Sequence, residues 1–365
     1  SCRFFYSPKT SNHYEKTTIR YCCRLPGWFT FAQDAPLWMR HSVISPDGTT
    51  IAFTYKGDIY TVPVAGGRAM QITTNPAYDT APVWSPDSKR IAFASDRMGS
   101  LDVYIVAKDG GEPRRLTTHS GSETPLAFTD AGHVLFSAGI MPSAEAVVFP
   151  SNGQFNQVYR VSVEGGRPTM ISSMPMECIS INKEGAMLYQ DKKGYEDYWR
   201  KHHVSPIARD IWMYTPGKEP QYRQLTTFGG EDREPVWAPD GKTFYYLSEE
   251  NGSFNIYRRT PGDAKAVQLT HYTKNPVRYL SAATDGRLCY GFDGEIYTLL
   301  PGGEAQKVNI SIVSDRNDKD IIRQIKSSGA TEMAVSPDGK EVAFVLRGDV
   351  YVTSVEYKTT KQITN

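Results

Sequence analysis

The sequence predicts an all-β protein, and three marks that recur along it carry the prediction. A turn mark comes first, as at Ser45-Pro46-Asp47-Gly48, Ser85-Pro86-Asp87, Pro239-Asp240-Gly241 and Ser336-Pro337-Asp338-Gly339. A strand mark follows, as at Asp58-Ile59-Tyr60, Asp102-Val103-Tyr104, Asp210-Ile211-Trp212, Asn255-Ile256-Tyr257 and Asp349-Val350-Tyr351. A closing mark ends the unit, as at Gln71-Ile72-Thr73, Arg115-Leu116-Thr117, Gln224-Leu225-Thr226, Gln268-Leu269-Thr270 and Gln362-Ile363-Thr364. Seven units carry all three marks in the same order.

Each mark has a physical reading. Pro-Asp-Gly sets φ at Pro and supplies positive φ at Gly, so it reads as a hairpin turn. The runs Ile51-Ala52-Phe53, Ile91-Ala92-Phe93 and Val342-Ala343-Phe344 that follow are short and apolar, as strands buried on both faces are. In the strand mark, the aromatic lies two positions from the leading polar residue and so on the same side of the pleat. That leading Asp is expected to bond turn backbone, not to do acid–base work. Gly pairs such as Gly66-Gly67, Gly110-Gly111, Gly165-Gly166 and Gly302-Gly303 turn the chain into the closing strand.

Each unit therefore yields four short antiparallel strands, repeating every roughly 40–56 residues, close to the period of a propeller blade. One such sheet cannot cover both its faces, whereas a closed ring of sheets does. The fold class is thus an all-β propeller of four-stranded antiparallel blades, with an open stack of sheets as the rival. Six units fill residues 42–309, and these form the six-bladed propeller of the reading. Residues 310–331 are rich in Asp, Lys and Arg and read as a linker. Residues 332–365 then read as the first blade of a second, truncated propeller. A single seven-bladed propeller with a long last connection is the alternative.

Composition agrees. The 365 residues hold 22 Tyr, 30 Gly and 23 Pro, which suits many strands joined by tight turns. The net charge of +1 gives no global field for nucleic acid. No apolar run reaches the roughly 20 residues that span a bilayer. The five Cys show no CxxC spacing, and Cys178 and Cys289 read as buried thiols, with a disulfide left open. Residues 1–41 form a leader or extension without the repeat. Thr30-Phe31-Ala32 suits a signal-peptidase site, but no apolar run of about 7–15 residues precedes it. Export to a periplasm is the expectation it supports, with a cytoplasmic protein as the alternative.

Two units are enlarged between turn mark and strand mark, over residues 139–156 and 191–209. Loops of this kind tend to carry function. The second holds Tyr195, Tyr198 and Trp199 with Arg200, Lys201, His202, His203 and Arg209. These five cationic or titratable residues are the candidate peptide or partner contacts, weighed against a solvated loop packed on the rim. Adjacent His202 and His203 would face opposite sides of a strand, so they suit a shared metal poorly. Arg114-Arg115 reads as surface charge. No Gly-x-Ser-x-Gly elbow is present, and no nucleophile, acid and base stand together. No catalytic, metal-binding or cofactor-binding residue is expected, and no cofactor.

Beyond these readings, the three marks across residues 42–365 resemble the repeats of TolB-like propellers. Two longer segments narrow the resemblance. Gly194 to His203, continuing through Ser205 to Arg209-Asp210-Ile211-Trp212, is similar to the fourth-blade insertion of tricorn-like proteases. Arg347 to Val355, followed by Thr360-Lys361-Gln362-Ile363-Thr364, is similar to the first blade of that family's second propeller. The resemblance implies a larger serine protease, in which a second propeller, a PDZ-like domain and a protease domain follow this region. It implies a non-catalytic role here, in substrate access and assembly, with peptide or protein substrate as partner and a homo-oligomer left open. The family's first propeller is associated with basic residues that anchor a peptide's C-terminus; residues 139–156 hold no Arg pair to take that part. A free-standing TolB-like protein-binding scaffold is the alternative function.

Overall fold

In the computed structural model, residues 36–139, 155–194, 204–313, 326–357 and 359–364 are described. Every regular element among them is a strand. The chain divides into two compact units, Ser1–Val313 and Ser314–Asn365.

In the first unit, four-stranded antiparallel sheets occupy residues 40–71, 79–115, 123–172, 176–224, 232–268 and 278–307. They are called the first to sixth sheets below. Each runs as a meander, as the hairpin turns dictate. In the first turn the Ser45 hydroxyl donates to Asp47 Oδ1 at 2.5 Å, and the same oxygen accepts the Thr49 amide at 3.0 Å. The Thr50 amide in turn donates to Ser45 Oγ at 3.0 Å. The Ser85, Asp87, Lys89 and Arg90 turn repeats these bonds. Gly48 sits at φ 73°, and in the second turn Ser88 takes that left-handed place at φ 58°.

The strand mark departs from the expectation in one respect. In five of the six sheets its leading polar residue bonds the closing mark, while Gln157 and Asn255 also bond backbone close by, Gln157 to the Phe155 carbonyl and Asn255 to the Ser253 and Tyr272 carbonyls. Asp58 accepts Gln71 Nε2 at 2.9 Å, Asp210 accepts Gln224 Nε2 at 3.0 Å, and Asn255 accepts the Thr270 hydroxyl at 2.9 Å. In the second and sixth sheets an ion pair takes over, Asp102 with Arg115 and Glu295 with Lys307. Arg115, expected as surface charge, is accordingly half-buried. The closing strand is thereby held to the third strand, which matters most in the first, second, fifth and sixth sheets, where only two residue pairs join them through backbone.

Six apolar clusters lie between the sheets, one at each junction. Ala52, Ile59 and Ile72 of the first sheet meet Trp84, Ile91 and Phe93 of the second. Further clusters join the second to the third, third to fourth, fourth to fifth and fifth to sixth. The last joins Cys289, Ile296 and Val308 of the sixth to Ile44, Phe53 and Val62 of the first. The order of packing therefore returns to its start. Ile51, Ala52 and Phe53, buried on both faces as their pattern requires, lie between two such clusters. Cys178 and Cys289 are free thiols.

Two details lie outside the repeat. Ile310–Ser311, where the linker was expected to begin, pairs in parallel with Gly67–Arg68 beside the first sheet. The first strand also starts earlier than the repeat pattern, at Arg40.

The second unit holds one four-stranded antiparallel sheet, Ala330–Val335, Glu341–Leu346, Asp349–Ser354 and Thr360–Gln362. It repeats the Ser336–Asp338 turn and the Thr364–Asp349 bond. Its Val342-Ala343-Phe344 run, expected to be buried on both faces, is only half-buried, because among the described residues of its own unit there is no second sheet to pack on it.

Candidate functional site

The first strand of each sheet in the first unit packs against the first strands of its neighbours. An irregularity of register interrupts all six. In five of them a non-glycine residue at the irregularity takes positive φ: His41, Ala81, Cys178, Glu234 and Tyr279. An extra residue of this kind bends a strand and re-aims the side chains beside it. In the fourth and fifth sheets those neighbours are Glu177 and Arg233, and charge gathers around them.

Arg209 lies at the centre. It enters from the end of the fourth-sheet insertion and is 5% exposed. Its Nε donates to Glu177 Oε2 at 3.0 Å, and its Nη1 lies 3.5 Å from Glu231 Oε1. Glu231 also takes Arg233 Nε at 2.6 Å, and the Arg233 guanidinium stacks on Phe254 at 5.2 Å. Gln190 Nε2 and Lys192 Nζ approach Glu177 at 2.9 and 3.3 Å. Burial pushes the Glu177 carboxyl up, but Arg209, Gln190 and Lys192 outweigh it and hold it below the ordinary value. The chain of bonds extends further, since the Glu234 amide donates to Gln190 Oε1 and Glu234 Oε2 accepts the Leu280 amide. One network thus ties the fourth, fifth and sixth sheets.

The stem of the insertion is pinned beside it. Lys193 Nζ reaches Asp210 Oδ2 at 2.5 Å and the Ala208 carbonyl at 2.7 Å. The Asp210 amide donates to Asp191 Oδ1 at 2.8 Å, and Trp212 Nε1 donates to Asp191 Oδ2 at 3.1 Å. Burial raises the Asp191 carboxyl, and although it works against the Lys193 ammonium, Asp210 and Asp191 raise that group overall.

Of the five candidate contacts, Arg209 is thus turned inward onto two carboxylates. Arg200, Lys201, His202 and His203 lie outside the described residues. Glu177, Glu231 and Arg233 escaped the sequence reading. Their signal was charge in a first strand, a lone Glu177 in Met176–Ile181 and the run Glu231-Asp232-Arg233-Glu234 at the start of the fifth sheet. Chemically the network is a set of matched charges. The Cys178 thiol beside it is held well above its ordinary value, by burial first and then by Glu234 and Glu177, and so stays protonated and weakly nucleophilic. Among the described residues, no group of three or more His, Cys, Asp or Glu is placed to hold a metal ion.

Residues 36–305 match the family model of the tricorn protease N-terminal beta propeller domain. Among curated proteins, tricorn protease homolog 1 of Streptomyces coelicolor is 26% identical over 289 residues, covering 78% of this chain and 26% of that protein. The tricorn protease of Thermoplasma acidophilum is 25% identical over 333 residues, covering 87% and 29%. The crystal structure of the tricorn protease superposes with a TM-score of 0.65 at 20% identity, over 90% of this chain and 31% of that one. The chain therefore spans under a third of the length of these relatives.

Proposed function

The chain belongs to the family of the tricorn protease N-terminal β-propeller domain, and from that premise we propose that it is the non-catalytic propeller portion of a tricorn-like serine protease. In this reading residues 36–313 are a six-bladed ring that admits peptide or protein substrate and supports assembly with protease domains encoded elsewhere in the protein. The observation that carries it is the family match over all six sheets, combined with a packing order that returns from the sixth sheet to the first. The second unit is read as a blade of a second propeller. Its three marks and its half-buried central strand support that reading, because a blade needs a neighbour on each face. Export to the periplasm is a separate proposal, supported by Thr30-Phe31-Ala32 before Gln33.

A controlled deletion tests the function. The complete protein and a variant lacking residues 36–313 are compared on peptides of increasing length. The reading expects the variant to keep turnover of short peptides and to lose preference among long ones, seen in KM more than in kcat. An unchanged length profile would overturn it. The 365-residue chain alone is expected to cleave no peptide; turnover that co-purifies with it through successive steps would also count against the reading.

A further inference from the structure

The first strands of the second, third and fifth sheets each open with a buried acid: Asp79, Glu123 and Asp232. Their surroundings differ in one decisive way. Arg97 grips Asp79 by both carboxylate oxygens, at 2.9 and 3.1 Å. In the fifth sheet, the residue at the place of Arg97, two past the serine that pairs with the acid, is Glu250, so an acid stands where that cation would be.

Asp232 is 1% exposed. On its own strand its neighbours are Glu231 and Arg233, which pair with each other. From the second strand of its sheet it meets the Ser248 hydroxyl and the Glu250 charge; from the fourth sheet it meets Asp210 and the Thr226 hydroxyl. Lys193 is engaged by Asp210 at 2.5 Å. The Thr226 hydroxyl lies 3.5 Å from Asp210 Oδ1 and is also in reach of Asp232. A hydroxyl has one proton to donate. It cannot serve two carboxylates, and Asp232 Oδ1 is buried with no hydrogen-bond partner. Even with the Ser248 hydroxyl in reach, an ionised Asp232 keeps one buried oxygen, Oδ1, without a donor among the described residues.

Glu123 repeats the arrangement between the second and third sheets. It is buried against Asp102, with the Thr117 hydroxyl and the His119 amide beside it. The nearby cation, Arg115, is engaged by Asp102 at 2.9 Å.

We propose that these two junctions are proton-dependent latches, tight when Asp232 and Glu123 carry a proton and loosened when they ionise next to Asp210 and Asp102. A protonated carboxyl adds a donor at the junction and removes a negative charge that, among the described residues, has no cation paired to it. Burial first, and then the neighbouring acid, push both carboxyls up to about 7, so the latches work near neutrality. A proton that binds the closed junction and not the opened one makes opening easier as pH rises. The Asp79 junction, neutralised by Arg97, is the internal control.

Amide hydrogen exchange of the whole chain, read by mass spectrometry on peptides from each junction, tests this. After correction for intrinsic rates, exchange across Ile211–Thr215 and Asp232–Trp237 should rise up to about tenfold between about pH 6 and about pH 8. Peptides across Asp102–Ala107 and Glu123–Asp130 should do the same, while the Asp79 junction stays level. Asp232→Asn should abolish the response at its own junction and leave that of Glu123 intact. Because the variant could fail to fold, the infrared band of protonated carboxyl groups in the unaltered chain is the second measurement. Its loss between the same two pH values is expected. Level exchange at all three junctions, an equal response at Asp79, or no protonated carboxyl at the lower pH would each overturn the proposal.

Discussion

The Thr73 hydroxyl accepts the backbone N–H of Ile59 at 3.0 Å, joining the closing mark to the strand mark of the same sheet. The same bond recurs from Val103 to Thr117, Ile211 to Thr226, Ile256 to Thr270 and Val350 to Thr364, at 2.9 to 3.1 Å. It explains why the two marks travel together. The outer strand is two residues long in several sheets, too short to hold by its ladder, and the Thr hydroxyl adds a bond just beyond it.

Thr73→Val should therefore destabilise the first sheet although it keeps shape and apolar volume. The buried Ile59 N–H would lose an acceptor, which costs about 1–3 kcal/mol. Thr73→Ser keeps the oxygen and should recover most of the loss. Urea denaturation of the three proteins measures both; equal stability of the Val variant would show that the recurring bond contributes nothing.

The marks were legible because each is a local demand of the chain. Ser45 and Asp47 bond backbone within five residues, and Ile51-Ala52-Phe53 declares a strand buried on two sides. What was not legible comes from distance. Asp58 reads as a bond to turn backbone because Gln71 and Thr73, which it also bonds, stand 13 and 15 residues away. Arg209 reads as one cation of a loop until the fold brings Glu177 to it from 32 residues away. Ile310–Ser311 carries no periodicity, since a two-residue parallel pair has none to show.

That parallel pair yields a second prediction. Gly66 is at φ +84°, and a Cβ there would lie 2.6 Å from the Asn309 carbonyl oxygen. Gly67 and Ala69 donate their amides to Asn309 and Ser311 at 2.8 and 2.9 Å. Gly66→Ala should break this clip. Gly165 holds the same turn position in the third sheet at φ +85° with open space around it, so Gly165→Ala reports strain alone, about 1–2 kcal/mol. The Gly66 variant should lose clearly more in melting temperature and lose exchange protection at Gly67 and Ala69. Equal losses in the two variants would mean that the clip adds nothing to the junction of the first and sixth sheets.

His41 gives a pH dependence of opposite sign to the two latches. Its ring meets Tyr279 at 5.0 Å, and Nδ1 lies 3.4 Å from the Thr80 hydroxyl. Burial first, then the Arg40 charge, lower its pKa from 6.5 to about 4. The unfolded chain thus binds a proton that the folded chain refuses between these values. The stability contributed by neutral His41 is full above 6.5 and is lost as pH falls toward 4. His41→Gln should gain on the unaltered protein through that window, measured as the difference in melting temperature at each pH. A constant difference would show that His41 titrates alike in both states.

The last prediction separates the structural from the recognising cations of the fourth-sheet insertion. Arg209 is enclosed by Glu177 and Glu231, and its replacement would leave a half-buried and a buried carboxylate sharing Arg233, Lys192 and Gln190. Arg209→Met should cost on the order of 3–5 kcal/mol, as removal of one partner of a buried ion pair does. Arg200 and Lys201 lie in the sequence between Lys193 and Asp210, the two ends of the stem. We propose that they meet an acidic partner or a peptide carboxylate, a task for which the planar Arg fork is suited. Joint Arg200→Ala and Lys201→Ala substitution should then leave the melting temperature unchanged and weaken binding of acidic peptides to the complete protein, most strongly at low salt. The Arg209→Met result shows that the thermal assay can register a lost cation in this region. A lowered melting temperature with unchanged binding in the double variant would give Arg200 and Lys201 the same internal role as Arg209.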